Sequence, residues 1–304
     1  MSKGTLKEIK IGGGWTPDVE DERDFQLGAI YKFPALDEIP PEFIVSPLLK
    51  IKDQGQSDLC TAFASTYASE IQEGIELSPE WQFAKIKELM GNPAEWGADI
   101  RTALKSLCKF GSVPTTEVPE ELKYNDELSN RDRIADINNW PKLEEKAIKF
   151  KKNSFFKIVG PYDLFDNIRA SLWMSKKEFD KVKNASLLKL VITGAMWKHA
   201  WTIAKNGIIP KQEFSGGFGH AFVFVGTKLI DNEIYLEARL SNSDAIGDNG
   251  KFYFPKEVIN NYLKWGAYTL RDIEPEVAGY LIKKEWGVSM SWLAKLILFF
   301  KNLL

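Results

Sequence analysis

From residue 59 onward the chain keeps two hydrophobic rhythms, one after the other. Across residues 59–73 the positions Cys60, Ala64, Tyr67, Ala68 and Ile71 recur every three or four residues, the spacing of one helix face. Asp58 reads as the N-cap of that helix and Gly74 as its stop. A second helix opens at Ser78-Pro79-Glu80, turns Trp81, Phe83, Ile86 and Leu89 inward, and ends near Gly91-Asn92-Pro93. A third spans 99–109 with Ile100, Ala103, Leu104 and Leu107 inward and Gly111 beyond it. After Gly207 the rhythm becomes that of strands: an apolar run over 220–226, an alternating one over 234–240, and Phe252-Tyr253-Phe254. The turn 228–233 joins the first two as a hairpin, and Gly247-Asp248-Asn249-Gly250 precedes the third. Helices first and strands afterwards predict an α+β fold with a groove between the two halves.

The connecting stretches are less regular. Residues 113–150 are polar and charged, with a helix expected over 143–152. A strand is expected over 155–159, and 162–206 reads as helix plus one apolar strand at 187–192. Residues 1–45, with Gly12-Gly13-Gly14 and Pro34, Pro40 and Pro41, predict a segment that wraps over the surface without a core of its own. Residues 286–304 are strongly apolar, with Ser291, Lys295 and Asn302 on one narrow face. They predict a helix docked on the body or on a partner, with a membrane-surface helix as the alternative, since the apolar stretch is too short and interrupted to span a bilayer. The expected organisation is a wrapping segment 1–45, a helical half 46–150, a β-rich half 151–275 and a terminal helix 276–304.

Composition narrows the function. The 304 residues carry 40 basic and 42 acidic side chains, so no electrostatic argument favours a nucleic-acid partner. Only Cys60 and Cys108 are present, and the first ten residues contain no apolar leader stretch, which together predict a reducing, cytoplasmic setting with free thiols. With two histidines, His199 and His220, a mechanism needing an imidazole base has two candidates. No spacing of His, Cys and carboxylates suits zinc and no glycine-rich loop suits a nucleotide, so neither metal nor cofactor is expected.

The chemistry gathers around Asp53-Gln54-Gly55-Gln56-Ser57-Asp58-Leu59-Cys60. A thiol on the first turn of a helix meets the partial positive charge and unpaired N–H groups of the helix start, which favour a thiolate and a developing oxyanion. His220 follows Gly216, Gly217 and Gly219, and Asn242 ends the next strand. Acyl transfer through cysteine needs these types: a thiolate that attacks, an imidazole that takes and returns the proton, and an amide that holds the imidazole. Gln54 and the Cys60 N–H can supply oxyanion donors, and Gly219 admits a close backbone. Cys108 and His199 read as structural.

In these stretches the chain resembles the papain-like cysteine peptidases. The matching residues are 53–56, 60–64, 217–221, Val225-Gly226, 241–243 and 247–252. Within that family it looks most like the branch found in bacteria and their viruses, through Gly14-Trp15-Thr16-Pro17-Asp18, Thr61, residues 100–104 and Lys109-Phe110-Gly111. The resemblance implies a helical left domain and a β-barrel-like right domain with the cleft between them. It also implies a polypeptide substrate, Cys60 as nucleophile, His220 as general acid and base, Asn242 as orienting residue and Gln54 in the oxyanion hole. Gly97 would line the substrate backbone. Thr61 departs from the frequent Trp, and Ser57 stands where many relatives have a disulfide cysteine. Asp244-Ala245 replace the usual Trp-Gly, whose indole shields the Asn–His pair, so a more exposed pair and weaker activity are expected. That departure keeps open a second reading, a papain-fold module that grips peptide without cutting it. Independently of that choice, the terminal segment is expected to tether the chain to a membrane or to an assembly such as a virus particle. No long helical inhibitory propeptide precedes residue 50, which leaves residues 1–45 as a short cap.

Overall fold

Helix α1 (Cys60–Glu73) is buried from Cys60 through Gln72 and joins two separate apolar cores. The computed structural model describes residues 12–22, 24–45, 50–120, 136–137, 141–212 and 216–271. Cys60, Ala64, Tyr67, Ala68 and Ile71 face the larger core on the sheet, as their spacing predicts. The opposite face, Ala62 and Phe63 with Leu59 before the helix, packs into a helical core with Trp81, Phe83, Ile86 and Ala103. A helix covered on both sides explains its run of small residues, since Ala62, Ala64 and Ala68 let neighbouring elements approach closely.

Helix α2 (Pro79–Met90) starts with Pro at its first position, and its Ser78 cap accepts from the Trp81 N–H at 3.1 Å. Helix α3 (Ile100–Lys109) is capped by Asp99, which accepts from the Thr102 N–H at 2.7 Å. Asp58 does not cap α1. Leu59 occupies that position with no side-chain bond, and Asp58 turns away to another loop.

The β half is one antiparallel sheet of order β2-β7-β3-β4-β5-β6, with β1 also paired to β4. Its strands are β1 (Phe43–Ile44), β2 (Ser154–Lys157), β3 (Val191–Trp197), β4 (Phe218–Ile230), β5 (Glu233–Arg239), β6 (Lys251–Pro255) and β7 (Ala267–Arg271). The strand expected at 187–192 begins later, because Ala185–Leu187 closes a 3₁₀ turn, and it runs on to Trp197 along β4 after leaving β7 at Thr193. The hairpin turn is tighter than expected. Asp231 and Asn232 alone form it, at φ 48° and 65°, so residues 228–230 stay paired in β4. Helix α4 (Leu164–Val182) packs Phe165, Ile168 and Leu172 on the sheet.

Residues before 46 do more than wrap. Leu27, Tyr31, Phe33, Ile39, Phe43 and Val45 enter the larger core, and β1 extends the sheet. The expected helix at 286–304 lies outside the described residues. Among the described residues, no helix is long and apolar enough to cross a membrane and no cluster of His, Cys, Asp and Glu could hold a metal.

Candidate active site

The described structure brings Cys60, His220, Asn242 and Gln54 to one place between the helical layer and the sheet. Cys60 opens α1 with its thiol at the backbone N–H of Ala221, the residue after His220 in β4. The loop before α1 is stitched to the end of β5: Gln54 N–H donates to the Ser241 carbonyl at 2.7 Å, and Ser243 N–H to the Lys52 carbonyl at 3.1 Å. The Ser241 hydroxyl donates to Gln54 Oε1 at 2.5 Å. These bonds hold nucleophile loop and Asn242 loop in one register, although they lie far apart in the chain. Asn242 faces the His220 ring and favours its protonated form, while neither imidazole nitrogen nor Asn242 Oδ1 completes a hydrogen bond of ordinary geometry.

Exposure of the histidine was expected and is not found. His220 is 0% and Asn242 4% exposed. The cover comes from another strand: Trp197 at the end of β3 meets the imidazole edge-on, ring centres 5.7 Å apart and planes at 74°. An indole supplied by β3 thus covers the ring where Asp244-Ala245 cannot. Burial has electrostatic consequences. It pushes the Cys60 thiol up to about 12, despite its place on the first turn of α1, and presses the His220 imidazole down to about 3. Burial thus works against the charge that the helix start favours on the thiol.

The burial has an identifiable source. Residues 12–16 run through the cleft in an extended line. Gly12 N–H donates to the Gly55 carbonyl at 3.0 Å, and Gly14 and Trp15 N–H both donate to the Gly219 carbonyl at 3.1 and 3.2 Å. On the other wall Ala98 N–H donates to the Gly14 carbonyl at 2.7 Å, and Thr16 N–H donates to the Ala98 carbonyl at 3.0 Å. Gln54 Nε2 donates to the carbonyls of Ser57 at 2.8 Å and Gly13 at 3.2 Å, and Asn242 Nδ2 to that of Gly12 at 3.4 Å. Gly97 and Gly219, the two glycines expected to meet a substrate backbone, meet this segment instead. A Cβ on Gly97 would lie 1.8 Å from the Gly14 carbonyl oxygen, and one on Gly219 1.8 Å from that of Trp15.

Xylellain, a cysteine protease from Xylella fastidiosa, superposes with a TM-score of 0.64 at 22% identity, over 89% of this chain and 100% of that one. Procathepsin B S9 from Trypanosoma congolense gives 0.61 at 11% identity, over 87% of each chain. Digestive procathepsin L 3 of Tenebrio molitor larval midgut gives 0.57 at 12%, over 87% of this chain and 77% of that one. The fold is papain-like. No protein-family model matches the chain, and no curated protein matches it by sequence.

Within this papain-like frame, neither cysteine is in a disulfide, and the loop bearing the nucleophile is tied by other means. Ser57 Oγ donates to the Gln54 carbonyl at 2.7 Å. Asp58 Oδ2 accepts from the Gly97 N–H at 2.8 Å, and buried Lys87 donates to the Gly97 carbonyl and to the Glu95 carbonyl at 2.6 Å. A carboxylate and an ammonium thus hold the Gly97 peptide at both ends, next to the nucleophile. Lys87→Met keeps the packing of the stem but strands two carbonyls. It is expected to cost about 1–3 kcal/mol of stability, read from urea unfolding midpoints.

Sequence reasoning missed Lys87, Trp197 and Trp15. Of these, only Trp15 had a usable local signal, three consecutive glycines before a large aromatic. His199 is exposed against Phe218, ring centres 5.6 Å apart, and Cys108 is only half-buried, not the fully packed thiol expected.

Proposed function

We propose that the chain is a cysteine peptidase that cleaves peptide or isopeptide bonds through an acyl-thioenzyme on Cys60. The observation that carries this reading is the convergence of a helix-start thiol, a strand-borne imidazole and a facing amide at one papain-like cleft. Once the cleft is hydrated, His220 takes the thiol proton and the Cys60 sulfur attacks the carbonyl carbon. Gln54 Nε2 and the Cys60 N–H meet the oxyanion, and His220 returns its proton to the leaving amine. Water, deprotonated by His220, then attacks the thioester, releasing the carboxylic acid and restoring the thiol.

A non-catalytic, peptide-gripping module is the second reading, favoured by Asp244-Ala245 and by the imidazole that completes no hydrogen bond. Two measurements separate them: cleavage of denatured proteins, and labelling of Cys60 by an epoxide electrophile in wild type and His220→Ala. A peptidase cleaves the panel and labels stoichiometrically at Cys60, and the label is lost in the variant. Absence of cleavage, with Cys60 reacting no faster than a free peptide thiol under every condition, would overturn it. The tether through residues 286–304 is a further part of the proposal. It predicts that removing them changes sedimentation.

A further inference from the structure

Among the described residues, buried cations are answered, with one exception. Lys85 pairs with Glu88 and Glu144, Lys152 with Glu73, Lys189 with Glu178, Arg169 with Asp166 and Arg239 with Glu237, while Lys87 donates to two carbonyls. Arg271, the last residue of β7, is 5% exposed, and neither its Nε nor its Nη2 meets an acceptor. Burial alone presses the guanidinium down to about 10, which leaves it charged at pH 7. A buried charge with no counter-charge is costly enough that folded chains pair it. The two unanswered atoms share one edge. Nε–H and one Nη2–H point the same way along the planar guanidinium, the edge that takes both oxygens of a carboxylate side by side.

That edge is held in place by its surroundings. Arg271 pairs with Ser154 of β2, and its carbonyl accepts from the Asn153 N–H at 3.2 Å. The guanidinium carbon stands 4.5 Å from the centre of the Tyr31 ring. That ring meets Phe156 edge-on, two residues along β2 from Ser154 and so on the same face. The Tyr31 hydroxyl is itself buried without a partner. Lys189 stands over the same ring at 6.0 Å, but Glu178 of α4 takes its charge. A fixed cationic fork and a spare phenol donor thus lie together beside the start of β3, whose other end carries Trp197.

We propose that Arg271 and Tyr31 form a carboxylate-binding site, in which the guanidinium edge takes both oxygens and the phenol donates a further hydrogen bond. The carboxylate comes from one of two sources. Asp272, Glu274 and Glu276 follow Arg271 directly in the sequence and lie outside the described residues; the other source is a small carboxylic acid in solution. Either one ties the end of β7 to the segment that carries Tyr31. The site owes nothing to the peptidase reading.

The test follows thermal unfolding of the full chain while acetate replaces chloride at constant ionic strength, which holds screening fixed. Wild type is compared with Arg271→Met, Tyr31→Phe, and a triple variant carrying Asp272→Asn, Glu274→Gln and Glu276→Gln. With a carboxylate from solution, the wild-type midpoint climbs with the logarithm of acetate concentration, the triple variant follows it, and Arg271→Met stays flat. With the chain's own carboxylate, wild type is insensitive, and the triple variant unfolds at a lower temperature and recovers as acetate is added. Adding Arg271→Met to the triple variant then abolishes the recovery. In whichever background responds, Tyr31→Phe should raise the acetate concentration for half the effect on the order of tenfold, the scale of one hydrogen bond to a charged group. Should Arg271→Met fold poorly, Arg271→Lys keeps the charge without the two-pronged edge and should weaken the response as Tyr31→Phe does. Acetate responses that are the same with and without Arg271, or absent from wild type and triple variant alike, overturn the proposal.

Discussion

Replacing His220 by alanine is expected to lower kcat/KM for peptide hydrolysis by about three orders of magnitude, within the usual range for loss of a general acid–base group. The imidazole lies on β4 beside the residue whose N–H meets the Cys60 thiol, and among the described residues His199, the only other histidine, is exposed on Phe218. No second base can therefore take over. Comparing the variant with wild type on the same peptide substrate gives the ratio directly. A loss of less than about tenfold would show that His220 is not the base. The same variant carries a pH signature. Burial lowers the folded-state pKa from 6.5 to about 3, so the unfolded chain takes up the proton first as pH falls. This contribution to stability is fully present above pH 6.5 and is lost progressively toward pH 3, by at most about 1.4 kcal/mol per pH unit. Asp18, raised by burial from 3.8 to about 7, acts in the opposite sense, stabilising at low pH and losing that contribution as pH rises through the interval. Subtracting the unfolding free energies of His220→Ala from those of wild type cancels Asp18 and leaves the histidine slope. A flat difference between pH 6.5 and 4 would contradict the burial of the imidazole.

Trp197→Ala is expected to cost about 3–5 kcal/mol, the largest stability loss foreseen for a single side chain. Trp197 is 0% exposed, and its indole meets the rings of Trp201, Phe222, Phe252 and Phe254 as well as His220. No small residue can refill a hole bounded by five rings. Urea unfolding gives the value, and a change under about 1 kcal/mol would mean that the aromatic cluster collapses around the gap. Trp197→Phe separates packing from function. It should keep the fold yet admit water to His220, raising the imidazole pKa from about 3 toward 6.5. A purely structural tryptophan would leave that titration where it is.

Much of this architecture was legible from short-range pattern. The face of α1, the Ser78-Pro79 start of α2, the Asp99 cap of α3 and the glycine stops all follow from neighbours within a turn or two, which is the range over which caps and periodicity act. The residue types of the candidate site were equally plain, since Cys60 and His220 come from so small a set of cysteines and histidines. The reading failed where local signal was ambiguous. Asp58 has the chemistry of a cap, but a buried Gly97 N–H needs an acceptor more, and the strand at 191–197 contains Thr193-Gly194, which breaks an apolar run although Thr193 pairs with strands on both sides.

Residue identity alone thus determined a helix-start thiol with an imidazole and an amide downstream, and an α+β chain to carry them. Tertiary structure decided the condition of those groups. Trp197 covers His220 from β3, Lys87 and Asp58 grip Gly97 from two elements, and Gly12 to Trp15 thread the cleft. Desolvation is a property of everything packed around a group, gathered from distant parts of the chain, and no local pattern encodes it. The same Cys60 that the helix start would help to ionise in water is pushed the other way by that burial.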